Sequence, residues 1–144
     1  MTFISQPSFW STKNFFKSFA IISLLNSPLS YADILTDAVT NYKLGSYQSM
    51  VDGLEKFKPN QKQIATKYYL LGIAYNKLQN YEKASLALRR AIQLKSDAPD
   101  VWYEFGQSSY ANSDLRLSLQ SFKKSYSLKY KETESLYYLS LIHI

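Results

Sequence analysis

Acid–base or nucleophilic chemistry finds few starting points in this chain. There is no cysteine among 144 residues, and the single histidine, His143, is the next-to-last residue. The lack of thiols excludes disulfides, a cysteine nucleophile, a cysteine-based zinc site and lipid attachment at a lipoprotein cysteine. A Ser-His-acid site would depend on His143 alone. No Gly-rich loop is present to cradle a phosphate, and the eleven acids form no recognisable paired motif. What the chain has in quantity is phenol: thirteen Tyr, beside eight Phe and two Trp. That composition suits helices whose faces are filled by large rings, and it argues against disorder. The expectation is a non-enzymatic protein with no cofactor and no metal.

The elements that position these rings repeat every 34 residues. Tyr69 and Tyr103, Leu71 and Phe105, Gly72 and Gly106, and Leu94 and Leu128 are all 34 apart, and Leu44 and Tyr47 recur as Leu78 and Tyr81. Within residues 65–98, Tyr68, Leu71, Gly72 and Tyr75 follow the i, i+3, i+4, i+7 spacing of one helical stripe. Ala84, Leu88, Ala91, Ile92 and Leu94 form a second stripe after a Gln79-Asn80 turn. Gly72 falls mid-helix, where it costs about 1 kcal/mol against Ala, so a close helix approach must compensate. Ala84 and Ala91 likewise leave room for neighbouring rings. Pro99 suits the first turn of a helix. The pattern predicts helices at about 33–44, 47–57, 63–78, 81–95, 99–112, 115–128 and from 133 onward.

Residues 1–32 differ in character. Lys13 and Lys17 precede an apolar run at 19–25, followed by Pro28 and the small residues Ser30 and Ala32. That is the order of a secretory signal, with cleavage expected between Ala32 and Asp33. The apolar run is far short of the roughly 20 residues a membrane span needs, and Pro28 would break its continuation. The true start codon is left open by the long stretch before the run. A periplasmic or secreted location follows as the expectation, with no stable membrane span after cleavage.

Formal charge is +6, but two of the seventeen basic residues lie in the leader and all eleven acids beyond it, leaving +4 for the rest. The basic residues are scattered along the sequence, which suits a solvated surface better than a nucleic-acid patch. Arg89-Arg90 and Lys123-Lys124 do recur at the 34-residue spacing, and are read as an outer, solvated face.

With these positions in register, the chain resembles the tetratricopeptide repeat (TPR) family over residues 31–144. The best unit, 65–98, has Tyr68 at the Trp position, then Leu71-Gly72, Tyr75, Tyr81, Ala84, Leu88 and Ala91. The unit at 99–132 has Trp102, Phe105-Gly106, Leu115 and Phe122, with Ser118 and Ser125 where the family prefers Ala. The unit at 31–64 is weaker, with Ile34, Ala38, Leu44-Gly45, Tyr47, Leu54 and Phe57. A partial fourth occupies 133–144. The resemblance implies an all-α fold: a right-handed α-solenoid of antiparallel helix pairs, three TPR units plus the first helix of a fourth, filling 33–144 after the signal peptide. Asp37 and Asn41 replace apolar signature residues in the first unit and read as a polar terminal cap.

In the family, the first helix of each repeat lines a concave face. By resemblance, the inward positions here give Tyr42 in the first unit, then Tyr69, Ile73, Asn76 and Lys77 in the second. Tyr103, Gln107 and Tyr110 follow in the third, and Tyr137 in the fourth. Tyr69, Tyr103 and Tyr137 form a series at 34-residue spacing. These are the candidate peptide-binding residues, for an extended segment packed on rings and bonded by phenol hydroxyls; scaffold packing is the competing role. Family members that clamp the carboxylate tail of cytosolic chaperones use Lys and Asn at the fifth and ninth positions. This chain has Leu35 and Val39, Tyr69 and Ile73, and Tyr103 and Gln107 there, so that clamp is not expected.

The expected function is an interaction scaffold for a peptide or protein of unspecified identity, with self-association through terminal repeats also open. The alternative is an accessory region of a larger envelope protein or enzyme. Residues 139–144 match one reading frame of a DNA-sequencing adapter, which points to a fragment with its true C-terminus elsewhere. A natural terminal helix is the competing reading, since Leu139 falls on a signature position.

Overall fold

The structure is a computed structural model describing residues 30–94 and 98–143. Most of the expected leader lies outside the described residues. Its expected cleavage bond, Ala32–Asp33, lies in the first turn of the first helix.

Seven helices follow in order: α1 (Tyr31–Lys43), α2 (Tyr47–Lys56), α3 (Ile64–Lys77), α4 (Tyr81–Gln93), α5 (Pro99–Ala111), α6 (Leu115–Ser127) and α7 (Glu132–His143). No strand is present among the described residues. Each helix packs on the next, and α3 also packs on α5 across α4. The first helices of the second and third repeats therefore lie side by side, in a solenoid of helix pairs. The expected boundaries hold to within about two residues.

The turn inside each pair is the same local device used three times. Gly45, Gln79 and Ser113 all adopt left-handed backbone, with φ of 71°, 59° and 62°. The next amide in each case reaches back five residues: Ser46 N donates to Asn41 O, Asn80 N to Tyr75 O, and Asp114 N to Ser109 O. That six-to-one bond ends a helix by satisfying a carbonyl that would otherwise be orphaned. Two of the following helices then start on a side-chain cap. Asn80 Oδ1 accepts from Lys83 N and Asp114 Oδ1 from Leu117 N, each contributing roughly 1 kcal/mol over Ala.

Small residues set how closely the pairs pack. Ala84 and Ala91 are fully buried, as is Leu88 between them on the same stripe. Leu88 fills the space opposite Gly72, and the Phe122 ring fills the equivalent space opposite Gly106. Burying a side chain of this size contributes roughly 2 kcal/mol each. The core runs through the layers in sections. The first joins Ile34, Met50, Val51, Leu54 and Leu71; the second joins Leu88, Val101 and Phe105. Toward the C-terminus the core becomes aromatic and hydroxylic. Phe122 stacks on Tyr138 with centroids 4.4 Å apart, while Ser118, Ser121, Ser125 and Ser135 are buried around it. Ser118 Oγ donates to Gly106 O, and Ser125 Oγ to Tyr130 O. These bonds are what allow hydroxyls to replace the expected alanines.

At the N-terminal end, Asp37 is solvent-exposed and Asn41 half-exposed, the arrangement expected of a polar cap. No helix among the described residues is long and apolar enough to cross a membrane.

Candidate functional site

The nine candidate residues come from four first helices, and their positions differ sharply in accessibility. Tyr42, at the end of α1, is 41 % exposed; Lys77 of α3 places its ammonium 5.9 Å from that ring. Tyr137 of α7 is 61 % exposed. Ile73 and Tyr110 are half-buried. Tyr103 is only 4 % exposed and belongs to the core. The expected exposed series of Tyr69, Tyr103 and Tyr137 is thus interrupted at its middle member. The cause is local: Tyr103 meets Phe122, Tyr130 and Tyr138 edge-on at 5.7, 6.0 and 6.4 Å, and Lys131 lies over its face.

Four candidates converge. Asn76, Lys77, Gln107 and Tyr110 line one cleft of about 310 Å³ with Tyr81, Glu104 and Tyr138. The amide of Asn76 donates to both the carbonyl and the carboxylate of Glu104, at 3.0 and 2.8 Å. This ties α3 to α5 across the cleft floor. Asn76 Oδ1 has no partner there and is buried. Gln107 Nε2 donates to the Tyr103 hydroxyl at 3.2 Å, so the cleft wall is fastened to the core beneath it. Tyr137 lies outside this lining, as does Tyr42, which reaches its edge only through Lys77.

A second α3–α5 link lies nearer the helix starts. The half-buried Tyr69 hydroxyl donates to the Asp100 carboxylate. Burial first, then that bond, drives the Tyr69 phenol far above its ordinary ionisation range. The Tyr103 phenol is pushed up to about 12, mainly by burial, with Tyr138, Glu134 and Glu104 adding to it. Tyr130 is raised too, by burial and then by Asp100 and Glu104. All three phenols are therefore neutral donors near neutral pH. The surface they form offers hydrogen bonds and ring faces beside carboxylates.

Sequence reasoning missed Glu104, Tyr130, Lys131 and Tyr138. Glu104 sits where the previous repeat has Leu70, so the 34-residue register gives it no counterpart. Tyr130 and Lys131 belong to the turn between α6 and α7, outside any helical stripe. Tyr138 is one position past the expected Tyr137, and it is Tyr138 that turns inward. Among the described residues no group of three His, Asp or Glu could hold a metal ion.

Residues 72–113 match the family model described as TPR repeat. Over those residues the chain is similar to tetratricopeptide repeats. No curated protein matches it. Among solved structures, it is similar to the second TPR domain of human RPAP3, determined by NMR in complex with the HSP70 peptide SGPTIEEVD. The TM-score is 0.68 at 20% identity, covering 77% of this chain and 92% of that one. At that identity the likeness is one of fold, and it extends the TPR arrangement well beyond the residues the family model covers.

Proposed function

We propose that this chain is a non-catalytic scaffold that holds a peptide or protein segment on the face formed by its first helices. The observation that carries this reading is the cleft between α3 and α5. It gathers Asn76, Lys77, Gln107 and Tyr110 from the positions the TPR pattern turns inward. Its walls are held by hydrogen bonds between helices, so the surface is largely formed before a partner arrives, which lowers the ordering cost of binding. The RPAP3 domain of similar fold holds an HSP70 peptide. This chain has Leu35, Val39, Tyr69, Ile73, Tyr103 and Gln107 at the positions where a carboxylate clamp needs Lys and Asn, so its partner is of different chemistry.

We also infer that the scaffold works after export, in the periplasm or outside the cell. The order of charged, apolar and small residues in 1–32 supports this. Cleavage after Ala32 would leave Asp33 in the first turn of α1, where a carboxylate favours the helix dipole.

A photo-crosslinking amino acid placed at Ile73 or Tyr110 tests the binding face, with exposed Leu86 on α4 as the control. In the native organism, one defined adduct should form from the two candidate positions and not from Leu86. Adducts from Leu86 alone, or from all three positions equally, would remove this assignment. N-terminal sequencing of the exported protein checks the cut: Asp33 is the expected first residue.

A further inference from the structure

Resting on that reading, we propose that the third repeat receives a lysine or arginine side chain of the bound segment, where the chain's own Lys131 now sits. The Lys131 ammonium lies 4.4 Å from the centroid of Tyr103 and 6.0 Å from that of Tyr130. A cation at that distance is held by the negative face of the ring. The molecule thus already displays a cation seated on its phenols.

The surroundings favour a cation more strongly than Lys131 exploits. Asp100, Glu104 and Glu134 all bear electrostatically on Tyr69, Tyr103 or Tyr130. Among the described residues, Asp100 and Glu104 accept hydrogen bonds only from neutral donors, the Tyr69 hydroxyl and the Asn76 amide. None of the three acids forms an ion pair among the described residues. A neutral donor orients a carboxylate and leaves its charge in place. The imbalance belongs to the third and fourth repeats, since α3 of the same layer carries Lys67 and Lys77 and no acid. Helices α5 and α7 carry Asp100, Glu104, Glu132 and Glu134 and no lysine or arginine. Cations gather instead on α4 and α6, which hold six against the single acid Glu82. A segment approaching the first-helix layer of this half meets a negative field, which steers and selects cationic side chains.

Lys131 is a replaceable occupant. The turn presenting it has left-handed backbone at Lys129 and Lys131, with φ of 56° and 45°, a conformation that costs a residue with a Cβ roughly 1 kcal/mol. Tyr130 between them is anchored, its carbonyl accepting from the Ser125 hydroxyl at 2.9 Å and its amide donating to Ser125 O at 3.1 Å. The Lys131 side chain is exposed and in no ion pair among the described residues. It can swing to water while Tyr103 and Tyr130 stay in place. Its ammonium competes with a partner's and sets a threshold for binding.

The test is selection of a random dodecapeptide phage library on the full chain, with Ile73→Arg as a groove-blocked control. Selected peptides should be enriched in Lys or Arg, and changing the enriched cation to Gln should weaken binding about tenfold. Lys131→Ala and Lys131→Gly should each tighten it about threefold, because the internal competitor is gone. Glu134→Gln should weaken it. Peptides that bind the groove without Lys or Arg enrichment, or that bind less well to both Lys131 variants, overturn this inference and leave the scaffold reading standing. If no peptide discriminates the chain from Ile73→Arg, the scaffold reading falls and this inference with it.

Discussion

A Cβ added to Gly72 would lie 2.6 Å from Cδ2 of Leu88, closer than real carbon atoms approach. Leu88 is fully buried on the facing helix and has nowhere to move. Helix propensity alone would favour Gly72→Ala by about 1 kcal/mol, but overpacking a filled core costs about 1–3 kcal/mol. The net expectation is destabilisation by about 1 kcal/mol or more in denaturant unfolding. Gly106→Ala should follow it with a smaller loss, its Cβ meeting the Phe122 ring at 2.9–3.0 Å. Gly53→Ala is the control: nothing lies within 4 Å, and it should stabilise α2 by about 1 kcal/mol. If all three alanines raise the midpoint, the close approach is not what keeps Gly72 and Gly106 as glycines.

That contact was legible before any coordinates, because a glycine inside a strong helical stripe costs stability unless a neighbour needs the space. Helix limits were legible for the same reason: Leu71, Ala84, Leu88 and Ala91 lie where their stripes put them. The binding face was read less well. Which inward tyrosine stays open depends on the turn between α6 and α7, which folds Tyr130 and Lys131 onto Tyr103. Neither Lys129 nor Lys131 announces a left-handed turn by its type, as a glycine would. The pairing of Asn76 with Glu104 joins residues 28 apart, off the repeat register, and no periodicity exposes it.

The turn backbone offers a stabilisation that touches no core residue. Gln79 and Ser113 hold φ of 59° and 62° where the first repeat has Gly45 at 71°. A residue with a Cβ is strained there and glycine is not. Gln79→Gly and Ser113→Gly should each raise stability by about 0.5–1 kcal/mol. The converse change, Gly45→Ala, should lower it. Thermal midpoints of the three variants decide the matter. A fall for both glycine variants would mean that lost unfolded-state entropy outweighs the relieved backbone.

Alkaline pH should loosen the array through its raised phenols, Tyr75 and Tyr103 among them. Tyr75 is pushed up to about 12 by burial and by its hydrogen bond to Glu55 at 2.7 Å, and Tyr103 to about 12 chiefly by burial. In the unfolded chain both titrate near 10. Between those values the native state keeps protons that the unfolded state releases, so stability declines with rising pH. The contribution is whole below pH 10 and disappears as pH climbs through about 12. Urea midpoints measured from pH 9 to 12 should fall. Tyr75→Phe and Tyr103→Phe should each flatten the slope, whatever they do to stability at pH 7. An unchanged slope in both would show that these phenols do not couple to folding.

Two buried serines on neighbouring helices should answer differently to the same substitution. Ser109 is 1 % exposed and its hydroxyl has no hydrogen-bond partner among the described residues. A buried, unsatisfied hydroxyl carries its desolvation cost without return, about 1–3 kcal/mol before packing adjusts. Ser109→Ala should therefore raise stability by roughly 1 kcal/mol. Ser118 is equally buried, but its hydroxyl donates to Gly106 O at 3.0 Å, binding α6 to α5 at their closest approach. Ser118→Ala gives up that bond, so it should be neutral or cost up to about 1 kcal/mol, although the TPR pattern prefers Ala there. Chemical denaturation of both variants gives the sign directly. If Ser118→Ala gained as much as Ser109→Ala, the hydroxyls of this core would be tolerated substitutions and the bond to Gly106 would contribute nothing to holding α5 against α6.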